Sequence, residues 1–472
     1  MSEGVILILI FAIMLAAMFL GTPVFTAMGF TAVIGMLIWM GPQRIAQFGV
    51  IAYTQGTSFN QVIAPMFIMM SEFLSQGSIA EDIYAVLNRA VGRIRGGLAI
   101  STTLACTIFA ALCGSSPATA ASIGRISILE MEKRGYDPGF AVGTVAAGGT
   151  LGIMIPPSIT FCLYGIITET SIVQLFMAGL LPGIFLSLLL IVSILLRGTL
   201  KPSLVGLDKD GKPLKSAREM DGNEAREIIE DAVRQAKAEN GIKDEPEPEL
   251  MKKKEPTFLT ILPALVLIVV VLGSIYSGLA TPLEAAGYGV IGSILIVTFQ
   301  HRMNRKLFSS CMLNTARTGT MMIFLMICGF TMTFVISYLG ISQTIATALA
   351  TSGLGKVGLL ILMYVLWFVL GCLMDPASML VLTVPFLFQT LTEYGFHPLW
   401  IGVVSVLAAQ IAMITPPVGM NLFVLKANSD VPMSKITMGC IPYVIIMLIG
   451  LAVLTIFPQI STFLPSLMYN IG

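Results

Sequence analysis

The chain has 472 residues, 56% of them hydrophobic and only 11% charged, and a mean hydropathy of +0.89. A soluble chain carries roughly a quarter charged residues, so this composition defines a polytopic membrane protein. A net charge of +1 points to no nucleic-acid or acidic partner, and two histidines exclude a histidine-rich metal or haem site. The seven cysteines lie mostly in apolar runs without Cys-x-x-Cys spacing and read as small buried hydrophobes rather than disulfides or ligands. The N-terminus lacks a basic start and a small-residue cleavage site, so its apolar run is expected to be a first span.

Apolar spans are predicted at about 4–20 and 23–40, parted by Gly21-Thr22-Pro23. Residues 41–58 are mixed and suit an interface. A third span, about 60–77, contains Glu72, and 79–96 is amphipathic with Arg89, Arg93 and Arg95. An apolar helix of about 97–113, the loop Cys113-Gly114-Ser115-Ser116-Pro117 and a helix ending at Lys133-Arg134 follow. Both ends of that unit are basic and its middle carries only Arg125. This describes a re-entrant hairpin, about 97–134, with its tip near the bilayer centre. A crossing at about 139–168 is interrupted by Gly152-Ile153-Met154-Ile155-Pro156-Pro157-Ser158, and 172–196 returns to Arg197 and Lys201. Proline lacks an N–H and clashes with the carbonyl four residues back, so adjacent prolines break a helix. In hydrocarbon the freed carbonyls are tolerated only where they face protein, water or an ion.

Residues 201–256 form a charged cytoplasmic linker; between 201 and 255 it holds 12 of the 27 Lys and Arg and 14 of the 26 acids. Asp221 or Asn223 is expected to cap a short helix there, running to about 239, before the Glu245-Pro246-Glu247-Pro248-Glu249 linker. From 257 the plan repeats: spans at about 258–277, 281–300 and 318–336, an amphipathic stretch, a second hairpin at about 357–391, a broken helix at about 398–428 and a last span at about 438–458. Thr22-Pro23 matches Thr281-Pro282 at an offset of 259, as Ser116-Pro117-Ala118-Thr119 matches Asp375-Pro376-Ala377-Ser378. Pro156-Pro157 matches Pro416-Pro417 at 260. Three proline motifs in one register indicate duplication, with repeats at 1–200 and 257–472.

Placing the basic clusters in the cytoplasm closes the span count, with the first hairpin entering from the cytoplasm, the second from the periplasm and both termini periplasmic. The fold expected is thus all-α and polytopic, with two inverted repeats, each carrying a re-entrant hairpin and a broken helix. Such an arrangement is associated with alternating access.

The runs Gly114-Ser115-Ser116-Pro117-Ala118-Thr119-Ala120-Ala121, Gly148 to Ile159 and Ile414-Thr415-Pro416-Pro417-Val418-Gly419-Met420-Asn421 resemble the large membrane subunit of a tripartite ATP-independent periplasmic (TRAP) transporter. The resemblance covers the chain except the linker, which is longer than the family suggests. It implies sodium-driven uptake of an organic acid across the bacterial inner membrane by an elevator mechanism. It also implies a small four-helix membrane subunit and a periplasmic substrate-binding protein. C4-dicarboxylates, sialic acid and 2-oxo acids all remain open as substrates. No cofactor is expected beyond sodium as the coupling ion, and no Gly-x-x-x-x-Gly-Lys-Ser/Thr run is present for ATP.

Sodium is a hard cation that takes several oxygens, which hydroxyls and broken-helix carbonyls supply. Site one is expected at Ser115 and Ser116 with the carbonyls of Gly152, Ile155 and Pro157; site two at Gly371 with Ala412, Thr415 and Val418. The substrate region takes in Asp375, Pro156, Pro417 and Asn421. Asp375 has two readings: an ionisable group at membrane depth that holds a cation or substrate hydroxyl, or a helix cap. Glu72 and Glu284 suit an interfacial or partner-subunit contact as well as transport. Arg125 reads as a snorkelling arginine, with attraction of an anionic substrate the alternative. Trp39 and Trp400 read as interfacial anchors. Competing readings are a stand-alone sodium/dicarboxylate symporter, an intramembrane enzyme, for which no nucleophile–base pair is evident, and a channel.

Overall fold

The structure, a computed structural model, describes residues 3–208, 257–341, 343–344, 347, 355–416 and 418–469. The expected linker helix, Pro417 and much of the amphipathic stretch before 356 lie outside these residues. Among the described residues the chain is helical, with one isolated antiparallel bridge between Tyr136 and Val205. Among the described residues, six helices are long and apolar enough to cross a membrane, or eight if each of two bent pairs counts as one span. A bilayer core offers backbone groups no water, so each span must satisfy its own N–H and C=O groups by helix formation.

The first part of the chain runs α1 (Glu3–Phe19), α2 (Val24–Gly35, continued by a π-turn at Met36–Met40), α3 (Ala46–Gly56), α4 (Ile63–Gln76) and α5 (Ile79–Val91). The one-turn segment Phe59–Val62 precedes α4, and the pair Phe59–Gln76 and α5 is bent by 60°. Next come α6 (Gly97–Cys113), α7 (Ser116–Lys133), α8 (Pro138–Met154), α9 (Ile159–Thr168) and α10 (Ile172–Leu200), with a bend of 41° between α8 and α9. Beyond the linker lie α11 (Phe258–Tyr276), α12 (Pro282–Phe299), α13 (Arg305–Tyr338), α14 (Gly355–Leu373), α15 (Pro376–Glu393), α16 (Pro398–Met413), α17 (Met420–Ala427), α18 (Met433–Ile456) and α19 (Gln459–Tyr469).

Two groups of helices emerge from the packing. In one, α2 lies on α13, α12 on α4, and α4 on α13. The other is centred on α8, which packs on α6, α7 and α18 and is buried from Gly139 to Met154. Small residues make that crowding possible. Gly143 and Gly439 leave no room for a Cβ, so α8 and α18 meet backbone to backbone, while Gly149 sits directly on Ala120 of α7. Without a hydrophobic drive between helices in lipid, such close van der Waals contact is what joins them. In addition, α9 packs on α15 and α7 on α17, so each hairpin leans on the second half of the other broken helix.

Two features of the interior depart from expectation. Trp400 is not an interfacial anchor: it is buried, stacks on Phe396 at 5.1 Å between ring centroids and donates its indole N–H to the Leu454 carbonyl at 2.8 Å. Burial is tolerable because that one polar atom is paired. The last 11-residue helix, α19, lies beyond the final span predicted and packs on α10.

A cavity between two hairpin tips

Each hairpin turns at its proline motif for a local reason. At the first tip Gly114 takes the left-handed conformation (φ +62°), Ser115 is extended, and Pro117 occupies the first turn of α7, where a missing N–H costs nothing. At the second tip Asp375 is extended and caps α15, accepting from the Ser378 N–H at 3.0 Å and from the Ser378 hydroxyl. The capping reading of Asp375 is therefore realised in the fold. Its carboxylate also borders the central cavity, so the cap does not remove it from the site.

The breaks meet the tips. No Cβ fits on Gly114 because the Pro157 carbonyl is there, and none fits on Gly152 because the Ser115 carbonyl and the Thr119 hydroxyl are there. Thr119 in turn donates to the Ser115 carbonyl at 2.8 Å. Ser158 restarts the chain as α9 by accepting from the Phe161 N–H. Ser115, Gly152 and Pro157 are thus brought together, and Ile155 lies in the same break, its N–H still bonded to the Leu151 carbonyl. Ser116 does something different. Fully buried, its hydroxyl accepts from the Asn421 side-chain amide at 2.8 Å, which ties the first tip to the second broken helix.

At the second centre Gly371 packs on Ala409 and Ala412 with no space for a side chain. The carbonyls of Ala412, Thr415 and Pro416 lie 3.7–3.8 Å from the Cys372 thiol, and the Thr415 hydroxyl donates back to the Ile411 carbonyl at 2.6 Å. Val418 precedes Gly419, which takes a left-handed φ of +58° against the carbonyls of Met413 and Thr415. Cys372 was not separable from the other cysteines by composition. The signal for it is the spacing of the proline motifs, because Cys113 and Cys372 are 259 positions apart, one at each tip. Cys113 is likewise in a polar contact, with the Ser71 hydroxyl at 3.0 Å. Thr119 was within reach as part of the repeated tip motif.

Between the tips lies a cavity of about 360 Å³. Gly114, Ser115 and Pro117 line it from one tip and Asp375 to Ser378 from the other; Ile153, Ile159 and Thr160 flank it from the first broken helix. Met420 of α17, Pro23 to Phe25 of α2 and Thr318 to Leu325 of α13 close it. Asp375 is the one charged side chain on its wall among the described residues. Pro156 is buried in the first break beside this wall, while Pro417 is outside the described residues.

The other singled-out acids are accounted for elsewhere. Glu72 accepts from Gln76 at 2.7 Å and from Asn314 of α13 at 3.2 Å, an internal contact between membrane helices. Glu284 closes a capping box with Thr281 at the start of α12. Arg125 is exposed on α7.

Multiple apolar spans, two helices broken at adjacent prolines and a cavity between the two hairpin tips define an integral membrane transporter. The chain matches the model of the family described as the tripartite ATP-independent periplasmic transporter, DctM component, over residues 11–460, and it belongs to that family. It is the large permease subunit of a TRAP transporter, a transport protein and not an enzyme. It is 31% identical to the C4-dicarboxylate TRAP transporter large permease protein DctM of Pseudomonas aeruginosa, with 93% of this chain and 94% of that one covered. It is 30% identical to the ectoine/5-hydroxyectoine TRAP transporter large permease protein UehC of Ruegeria pomeroyi, with 98% and 99% covered. Its fold resembles that of the MtrF efflux pump of Neisseria gonorrhoeae, with a TM-score of 0.56 at 12% identity over 90% of this chain and 85% of that one.

Proposed function

We propose that this chain takes up an organic acid across the bacterial inner membrane, driven by sodium, as the transport subunit of a binding-protein-dependent system. The observation that carries the reading is the cavity shared by both hairpin tips and bordered by their two broken helices. Oxygens gather at each tip: the carbonyls of Ser115 and Pro157 at one, those of Ala412, Thr415 and Pro416 at the other. Neutral oxygens of this kind suit sodium. Ser115, Ser116, Gly152, Ile155 and Pro157 form the first ion site in this reading, and Gly371, Ala412, Thr415 and Val418 the second. The substrate lies between them, against Asp375 and close to Pro156, Pro417 and Asn421. An acidic substrate beside Asp375 needs the sodium charge to offset repulsion between carboxylates.

The inverted-repeat reading, 1–200 and 257–472 about the 201–256 linker, is supported by reciprocal packing. The pair α2 and α13 corresponds, through the 259-residue offset, to α12 and α4, and α9 with α15 corresponds to α17 with α7. In an elevator, the group around α8 carries the cavity across while the group around α4 stays fixed. Both termini are periplasmic in this orientation. A small four-helix membrane subunit and a periplasmic binding protein complete the assembly.

Reconstitution in proteoliposomes with the small subunit and the cognate binding protein tests this. C4-dicarboxylates, ectoine, sialic acid and 2-oxo acids would be screened with and without an inward sodium gradient. Uptake that persists without the gradient would sink sodium coupling, and uptake without the binding protein would favour a stand-alone symporter.

A further inference from the structure

The bend between α4 and α5 is held by a residue that comes from the second half of the chain and lies away from the cavity. Gly77 and Ser78 make the turn, and Ser78 adopts a left-handed φ of +60° that side-chain-bearing residues seldom take. Gly77 is pressed against buried Val297, whose methyl occupies the place a Cβ would need. The Gly77 carbonyl accepts from Arg302 Nη1 at 2.7 Å. Arg302 Nη2 is 2.7 Å from Asp82 Oδ2, in the first turn of α5. The two side chains are 24% and 10% exposed, so the pair is shielded from water and better fixed than a surface ion pair. Arg302 is itself anchored, its backbone N–H donating to the Val297 carbonyl at 3.0 Å. Val297 and Arg302 therefore grip one glycine from two sides.

On its other faces α5 packs on α6 and α7, and the Ser101 hydroxyl of α6 reaches the Leu87 carbonyl at 3.3 Å. The chain thus passes from α4, in the fixed group, through α5 into the first hairpin. We propose that Arg302 is the positioning residue of this arm: it pins the elbow at Gly77–Ser78, so that α5 holds one angle to α4 and anchors the near end of the first hairpin. The inference rests on the moving-hairpin reading above. The guanidinium suits the task because its planar fork serves a carbonyl and a carboxylate at once, which a lysine ammonium cannot do with fixed geometry. Freed from that fork, the elbow keeps no polar clamp across its turn, and the hairpin loses its register with α4.

The test is a distance measurement by pulsed electron spin resonance on the full chain in nanodiscs. Nitroxides are placed at Ile94→Cys, just past α5, and Leu313→Cys on α13, both half exposed, in a Cys372→Ser background whose other cysteines are buried. The expected result is one narrow distance peak in the parent, lost to a broad or displaced distribution in Arg302→Lys and in Asp82→Asn. Broadening in either variant that stays monodisperse supports the pinned elbow. An unchanged distribution in every monodisperse variant overturns it; so does failure of both to stay monodisperse, which would make the pair a folding strut. The measurement needs no substrate, so a parent protein that takes up nothing sinks the transport reading alone.

Discussion

Asn421 donates its side-chain amide to the hydroxyl of Ser116 at 2.8 Å, across 305 positions of sequence, with both residues fully buried. The bond joins the tip of the first hairpin to the helix that follows the second break. The other amide atom of Asn421, Oδ1, is buried without a hydrogen-bond partner among the described residues. A buried acceptor left unpaired costs about 1–3 kcal/mol, so a water or cation that fills it gains that much.

Removing either partner should therefore weaken the centre. Ser116→Ala leaves the Asn421 amide unpaired, and Asn421→Ala strips the Ser116 hydroxyl of its donor. Each is expected to destabilise by about 1–3 kcal/mol and to raise the sodium concentration for half-maximal uptake. The double variant should be little worse than the poorer single, because the two act through one bond. Additive losses in a thermal-unfolding cycle would show that the residues act separately.

Gly114→Ala should be the more damaging change at the first tip. Its φ of +62° costs an alanine about 1–2 kcal/mol, and the new Cβ would press on the Pro157 carbonyl. The expected outcome is a lower melting temperature and no uptake. Wild-type uptake would mean that the tip and the break need not touch.

Asp375 has two jobs that conservative variants separate. Asparagine caps a helix about as well as aspartate, whereas alanine loses about 1 kcal/mol. If the carboxylate charge serves transport, Asp375→Asn keeps the melting temperature of the parent and loses uptake, while Asp375→Ala loses both. Normal uptake by the asparagine variant would leave the residue as a cap alone.

Cys372 offers a probe of the second centre. It is half-buried, whereas the other six cysteines are buried, and its thiol faces the carbonyls of Ala412, Thr415 and Pro416. Sodium held by those carbonyls should slow alkylation of Cys372 by a small maleimide, with potassium as the control. Equal rates in both salts, read by intact-mass spectrometry, would count against an ion there.

Much of this architecture was legible in the sequence. Composition alone made the chain a polytopic membrane protein, because 11% charge in 472 residues cannot coat a soluble surface. Proline pairs announced the broken helices, since the missing N–H acts through covalent structure wherever it sits. Tip and break motifs together were long enough to point to the family. Side-chain contacts across the fold were not legible. Asp375 was visible as an acid at a tip, yet its bond to Ser378 depends on the extended backbone that precedes α15. Trp400 sits near a helix end, as an anchor would, and only the packing of α16 against α18 turned it inward toward Leu454.

What the sequence determined by itself is local: which segments are apolar enough to cross, where prolines forbid a helix, and which motif is repeated. Tertiary structure alone decided the meetings. Ser116 meets Asn421 from 305 positions away; Cys372 looked like any apolar cysteine and lies against three carbonyls; Arg302 grips Gly77 from 225 positions away. The physical reason is range. Backbone breaks follow from neighbouring residues, whereas a hydrogen-bond partner is set by which helices the packing brings within about 3 Å, and one sequence pattern is compatible with many such arrangements.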